Sequence, residues 1–246
     1  MPDAAILFLA ACGTALATGL GAVPVFLLGR RAAALAPSLL GFAAGVMGVA
    51  AVAGLLIPAT QEGSAAEVAA GLAIGVGFLA LVRWRFHPDA SFMGRSGPGT
   101  RTSALVFLVL LVHSLPEGFA VGTAFASDRA GLSLFVILAI AIQNIPEGTS
   151  VAIPMEEAGF GRGRQFWAAV ATSAPQPVGA LLAYFAVEEV SGLLPVSFAF
   201  AAGAMLALIV VEMLPKAFAP GGRAGPGAGL AAGATLMLAL SLLLGV

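Results

Sequence analysis

Along the chain, apolar residues gather into long unbroken runs separated by short polar or charged intervals, without the alternation of a half-buried strand or the one-sided stripe of a soluble helix. A helix needs about 20 predominantly apolar residues to cross the hydrocarbon of a bilayer. Runs of roughly that length lie at 4–28, 38–59, 65–82, 102–125, 130–155, 165–187, 194–215 and 225–246. The pattern predicts an all-α polytopic membrane protein with eight transmembrane helices in one domain, 1–246. The longest interval, 83–101, holds Pro88, Gly94, Gly97 and Pro98 without apolar periodicity. It reads as a flexible cytoplasmic linker that divides the spans into a 3+2+3 arrangement.

Composition agrees: 60% of the residues are hydrophobic and 9% charged, with a mean hydropathy of +1.03, far from the balance of soluble domains. A net charge of -1 supplies no basic face for phosphates, which excludes nucleic acid as a partner. The lone cysteine, Cys12, can form neither an internal disulfide nor a thiolate metal site. Leu9-Ala10-Ala11-Cys12 imitates a lipoprotein cleavage box. However, Asp3 precedes it, no Lys or Arg does, and the apolar run is long enough to span, so Cys12 is expected to be a small buried residue of an uncleaved first helix.

Charge sets the orientation. Ten of the eleven basic residues, all but Arg129, fall in the odd-numbered loops. The positive-inside rule makes those loops cytoplasmic and both termini non-cytoplasmic. The even-numbered loops carry Glu62, Glu67, Asp128, Glu188 and Glu189, an acidic rim that could attract cations or simply be solvated.

An internal repeat carries the chemistry. His113-Ser114-Leu115-Pro116-Glu117-Gly118 recurs 30 residues later as Gln143-Asn144-Ile145-Pro146-Glu147-Gly148, each copy in the middle of a predicted span. A carboxylate at that depth is costly and is seldom left without a functional partner. One Pro-Glu could be a kink with a paired acid, and Gln143 alone a helix–helix hydrogen-bonding residue, but two copies at matching depth are hard to explain by packing. His113 and Glu117, like Gln143 and Glu147, stand four residues apart and share a helix face. Pro116 and Pro146 remove the helical donors of Val112 and Ile142, so the fourth and fifth helices are expected to kink. Gly118 and Gly148 are expected to let these two helices approach closely. Facing one another, the copies offer an imidazole nitrogen, an amide oxygen and two carboxylates, whose charge balances a divalent cation such as zinc, manganese, iron(II) or cadmium.

At these residues the chain resembles the ZIP (ZRT/IRT-like) family of metal transporters, especially its bacterial members. Gly45-Val46-Met47, Ala202-Gly203-Ala204-Met205 and Val211-Glu212 are similar to the family's second and seventh spans. The resemblance implies that Zn2+ or a similar ion is the transported substrate, with no organic cofactor, and that His113, Glu117, Gln143 and Glu147 are its primary ligands. It implies that the Met47 thioether approaches them. It also implies an integral protein of a bacterial inner membrane that moves a helix bundle against a scaffold, exposing the site alternately to each side, and that many members form homodimers through the scaffold. Import into the cytoplasm is the expected direction.

Asn144, Ser114, Gln176 and Glu212 are weaker ligand candidates. Where family members with a second metal use an Asn after the His, an Asn or Asp in the next motif and a Glu before a Pro in the sixth span, this chain has Ser114, Asn144 and Gln176. That departure predicts a single ion. Glu212 could be a station on the exit path or the plain ion-pair partner of Lys216, and Met47 could be packing. The family's His-rich loop is reduced to His87. An intramembrane zinc metalloprotease, the chief alternative, needs a motif such as H-E-x-x-H, which does not occur. A passive channel or metal sensor would use the same residues, and only saturable flux separates these from a carrier.

Overall fold

The computed structural model describes residues 2–85, 91–96, 99–219 and 223–246. His87, Pro88, Gly97 and Pro98 lie outside them. The chain is overwhelmingly helical. Helices α1 (Pro2–Leu20) and α2 (Val23–Leu28) lead through a 3-10 stretch, Gly29–Leu35, into α3 (Ala36–Val49) and α4 (Ile57–Glu62). Next come α5 (Ala65–Arg85), a two-residue hairpin of β1 (Ser91–Phe92) and β2 (Arg95–Ser96), α6 (Thr100–Ala126), α7 (Ala130–Glu157), α8 (Arg162–Thr172) and α9 (Pro175–Glu189). The last group is α10 (Leu194–Leu208), α11 (Leu214–Phe218) and α12 (Ala224–Leu244). Among the described residues, seven helical stretches are long and apolar enough to cross a membrane, against the eight expected. The difference arises at Arg30 and Arg31: Gly29 turns the backbone with a φ of 54°, but 3-10 hydrogen bonding carries on. The first two apolar runs therefore join into one helical stretch, Asp3–Glu62.

Pro116 and Pro146 lie inside unbroken helices, as does Pro154. Changes of helix type occur elsewhere. Ala50–Leu56 and Ile209–Met213 are π-helical, each leading into a proline, Pro58 or Pro215, at the start of the next α-helix. The run expected to be continuous over 165–187 breaks at Ser173 and Ala174, ahead of Pro175 and Pro177, which lack the amide hydrogens that would carry the helix through. The hairpin departs from the expected featureless linker. Its turn places Met93 and Gly94 at positive φ, 47° and 76°, the geometry of a tight twisted hairpin. Phe92 packs tilted against Phe107 and edge-on against Phe160, with ring centroids 5.2 and 6.1 Å away, over a small apolar cluster containing Val151 and Met155.

Glycine decides which helices pair. A Cβ on Gly118 or Gly122 would overlap the backbone of Gln176 or Ala180, so α6 lies directly on α9. A Cβ on Gly148 would overlap the Thr18 carbonyl, and one on Gly21 the Ile145 carbonyl, which joins α7 to α1. Gly41, Gly45, Gly229 and Gly233 join α3 to α12 in the same way, and Gly71, Gly75 and Gly203 join α5 to α10. Helices in lipid gain from dispersion at close range and little from burying apolar area, so backbone-to-backbone contact is their strongest packing device. The motif glycines Gly118 and Gly148 thus dock against α9 and α1, not against one another as expected. The main buried core is rich in small side chains, Ala43, Ala44, Ala201 and Ala202 among them, and also holds Phe135 and Phe198. Leu27, Leu242 and Leu243 point outward with about 80% of their surface exposed, as lipid-facing residues do. Cys12 is only half-buried, because it lies at the edge of the α1 contact face.

Gly148→Ala is expected to destabilise the protein by about 2 kcal/mol or more through overpacking. Gly77→Ala, whose Cβ meets nothing within 4 Å, is expected to be neutral. Thermal unfolding of both variants in detergent micelles compares them.

Candidate cation site between four helices

The two motif copies lie side by side in α6 and α7, and His113, Glu117, Gln143 and Glu147 are all buried. Glu117 is held from two sides. Gln143 Nε2 donates to its Oε1 at 2.7 Å and Gln176 Nε2 to its Oε2 at 2.7 Å. Two amide donors, with the N-terminal turn of α9 carrying one of them, lower the cost of a carboxylate in a low-dielectric interior. The break before Pro175 places Gln176 in that turn, and Gly118 gives its backbone room beside α6.

The amides are themselves tethered. Gln176 Oε1 accepts from Asn144 Nδ2 at 3.2 Å and lies 2.9 Å from the Thr14 hydroxyl. Asn144 Nδ2 also donates to the Thr14 carbonyl at 2.7 Å. Nearby, the Thr18 and Ser173 hydroxyls bond at 2.6 Å, and Ser114 Oγ donates to the Thr172 carbonyl at 2.7 Å. Four membrane-embedded helices, α1, α6, α7 and α9, thus meet in one polar network. Thr14, Thr18 and Ser173 were not candidates in the sequence, where a hydroxyl in an apolar run carries no distinguishing signal.

Other atoms in this region make no hydrogen bond of normal geometry. Buried and without such a partner are both ring nitrogens of His113, Oε1 of Gln143 and Oε1 of Glu147. A buried polar group normally has a partner, and an unpaired one costs about 1–3 kcal/mol. Three of the four primary candidates therefore present free donor atoms, and the fourth, Glu117, sits in the amide network beside them. Glu147 faces a cavity of about 260 Å³, which continues past Ser150 and Leu208 to Glu212 and Lys216. A smaller pocket of about 40 Å³ runs between His113 and Arg83. Among the described residues no three His, Cys, Asp or Glu side chains form a group able to hold a metal ion, since Glu117 turns into the amide network and Glu147 toward the cavity.

The remaining candidates are placed as follows. Met47 is fully buried in the main core on α3, a helix that packs on α7. Glu212 lies in the π-helical turn at the cavity wall and is bridged by Lys216 Nζ at 2.5 Å and Arg83 Nη1 at 3.3 Å. His87 is outside the described residues.

Membrane-length apolar helices with polar atoms left unpartnered among them, beside a cleft lined by Glu147 and Glu212, are features suited to an integral membrane transporter. Comparison with known proteins agrees. Residues 95–241 match the family model of the ZIP zinc transporters. Zinc transporter GufA of Myxococcus xanthus is 36% identical over 241 residues, covering 93% of this chain and 95% of its own. Zinc transporter ZIPB of Bordetella bronchiseptica is 32% identical over 248 residues, covering 93% and 78%. A longer relative from Arabidopsis thaliana is 35% identical over 209 residues, and the chain spans 33% of its length. The chain belongs to the ZIP zinc transporter family, whose members are transporters rather than enzymes.

The Glu212 cluster should be asymmetric. The Glu212 side chain is 7% exposed, whereas those of Arg83 and Lys216 are 45% and 54% exposed. Glu212→Gln leaves two solvated cations and is expected to cost under about 1 kcal/mol. Removing both cations in Arg83→Ala/Lys216→Ala strands a buried carboxylate and is expected to cost about 3 kcal/mol. Unfolding temperatures in detergent should rank the two variants in that order.

Proposed function

We propose that this protein carries divalent transition-metal ions, zinc foremost, across a bacterial inner membrane into the cytoplasm, through one site formed by His113, Glu117, Gln143 and Glu147. The observation that carries this reading is the free donor atoms of His113, Gln143 and Glu147 at mid-span, beside a carboxylate that its neighbours hold in place. Without a cation the two carboxylates repel and stay turned apart. A divalent ion neutralises both and draws the imidazole and the Gln143 carbonyl into its shell. The Met47 thioether is the soft contact on the α3 side. The family makes transport the activity, which the alternatives of a metalloprotease or a passive pore do not supply.

Eight crossings fit this chain better than seven. At 1.5 Å per residue, the 60 residues of Asp3–Glu62 would extend for about 90 Å, some three times the hydrocarbon thickness. Both of its ends meet the same loop: Asp3 lines a cavity with Asp128, and Glu62 pairs with Arg129. These contacts support a stretch that goes across and back, with its turn at Gly29–Leu35, and so the proposed 3+2+3 arrangement of spans. Arg83 and Lys216 meet on Glu212, and Arg162 donates to the Phe26 carbonyl at 3.1 Å, so the basic loops gather at the opposite end. By the positive-inside rule that end is cytoplasmic.

The cleft that reaches Glu147 opens at this end, which is an inward-facing arrangement, and alternating access requires its outward-facing counterpart. The α1–α7 and α6–α9 pairs carry the polar network and form the moving bundle. The α3–α12 and α5–α10 pairs form the scaffold. Within the scaffold, α5 and α12 are the least covered spans, with 22% and 17% of their apolar windows buried, and theirs is the face for a homodimer.

Glu147→Ala and Glu117→Ala are each expected to abolish saturable zinc uptake into proteoliposomes while leaving a folded protein, because the ion's charge is left uncompensated at low dielectric. Wild-type rates in a folded Glu147→Ala variant would refute the site. A reporter fused after Val246 should read as non-cytoplasmic, and one inserted near Gly97 as cytoplasmic. The reverse pattern overturns the orientation.

A further inference from the structure

We infer that Arg129 is a positioning residue for transport: with Thr123 it fastens the non-cytoplasmic end of the moving bundle to the scaffold and so holds the inward-facing arrangement. This assignment rests on the proposed division into bundle and scaffold and names the contacts between them that must break in each cycle. Arg129 is the single basic residue outside the loops read as cytoplasmic, on the side where Lys and Arg are scarce. Its contacts give the exception a reason.

Arg129 ends the short turn between α6 and α7, both in the bundle. Its guanidinium reaches the end of α4, which continues the scaffold helix α3. There Nη2 pairs with Glu62 Oε1, and Nη1 donates to Gln61 Oε1 at 3.3 Å. A planar fork can hold both acceptors at once in fixed geometry. Elsewhere at the same end, the Thr123 and Ser197 hydroxyls are hydrogen-bonded and join α6 to the scaffold helix α10. Thr123 is fully buried, whereas the Arg129 and Glu62 side chains are 46% and 33% exposed, so water weakens the ion pair more than the hydroxyl pair.

Backbone contacts close this end too. A Cβ on Gly131 of α7 would lie 2.6 Å from the Leu244 carbonyl of α12, and one on Gly54, in the π-helical stretch after α3, 3.0 Å from the Phe135 ring of α7. Toward the other end the two bodies part around the cleft of about 260 Å³, with Val106 and Glu147 on the bundle side and Leu208 and Glu212 on the scaffold side. Among the described residues, every side-chain hydrogen bond or ion pair between bundle and scaffold lies at the non-cytoplasmic end. An outward-facing state has to open that end and lose these contacts together. A partly exposed ion pair biases such an equilibrium about threefold, and a neutral hydroxyl pair by a similar factor of about three. Weak fastening suits a carrier, which must populate both states.

The test measures how often the outer seam opens, in the full-length protein reconstituted into vesicles without zinc. Val136 on α7 is 1% exposed, and its Cγ2 lies 3.1 Å from where a Cβ on Gly54 would stand, so the seam seals it. In a Cys12→Ser/Val136→Cys background a maleimide reaches position 136 only when the seam opens, and the labelling rate tracks that minor population. Ala139→Cys, on the same helix face and fully buried, replaces this reporter if Val136→Cys does not fold. Ala152→Cys, buried in the bundle in one cluster with Ala22 and Val25, controls for general loosening. Arg129→Gln should raise labelling at 136 about threefold, and Arg129→Gln/Ser197→Ala about tenfold, since the two contacts share no partner. Labelling at 152 should not change. The exchange Arg129→Glu/Glu62→Arg should return position 136 to the background rate.

An unchanged rate at 136 in Arg129→Gln, an exchange variant that labels as fast as Arg129→Gln, or a matching rise at 152 would each overturn the role of Arg129 while leaving the transport site standing. Fast labelling at 136 in the background itself would show the outer side already open, and the inward-facing reading would fall with the inference. Wild-type zinc uptake in folded Glu147→Ala would instead remove the transport site without altering these rates.

Discussion

The structure turns on the cost of keeping two carboxylates, Glu117 and Glu147, in the middle of membrane-spanning helices. A charge there loses its water and must find compensation from protein dipoles, from a counter-ion or from the cargo. The two residues meet this demand differently. Glu117 is held by amide hydrogens from Gln143 and Gln176. Glu147 instead keeps an unpartnered oxygen and faces a cleft. One carboxylate is thereby tied into an amide network and the other keeps an oxygen unpartnered, although the sequence motif presents them as equivalents.

That requirement explains much of the surrounding architecture. Bringing Gln176 to Glu117 requires a helix to begin partway along the apolar stretch Arg162–Glu189, which the prolines at 175 and 177 cause by breaking it. It also requires α9 to lie directly on α6, which Gly118 and Gly122 allow. Tethering the amides requires α1 close to α7, which Gly21 and Gly148 allow. Glycine, proline and the buried amides therefore form one device that holds a charge where the bilayer would exclude it. The remaining pairs, α3 with α12 and α5 with α10, use the same close backbone contact without polar cargo between them.

At the cleft mouth, Glu212 follows different rules. Its two cationic partners reach solvent, so their attraction is screened, while the carboxylate stays covered. The ion pair with Lys216 was one of two readings open at the level of sequence, and the structure adds Arg83 from another helix. The π-helical turn carrying Glu212 has a counterpart at Ala50–Leu56, each ahead of a proline, so the stretches that follow α3 and α10 share a local irregularity as well as the Gly-x-Met segments of those helices.

By itself the sequence determined the properties that follow from local composition and spacing. The helical class, the membrane-spanning runs, the basic and acidic loop asymmetry, and the burial of His113, Glu117, Gln143 and Glu147 belong here, because hydropathy and a repeated motif at mid-span are one-dimensional signals. Tertiary structure decided which helices touch. Gly118 and Gly148 were expected to join α6 to α7, yet they face α9 and α1, since a glycine declares that a backbone comes close without declaring whose. The same holds for the joined first two runs, where a turn rich in hydrogen bonds conceals a loop. It holds also for Thr14, Thr18 and Ser173, whose hydroxyls gain meaning only from atoms more than a hundred residues away in the chain. Gln176 was visible as a neutral residue where a charge was expected, but the direction of its amide depends on Asn144 and Thr14. Only packing brings those three helices together.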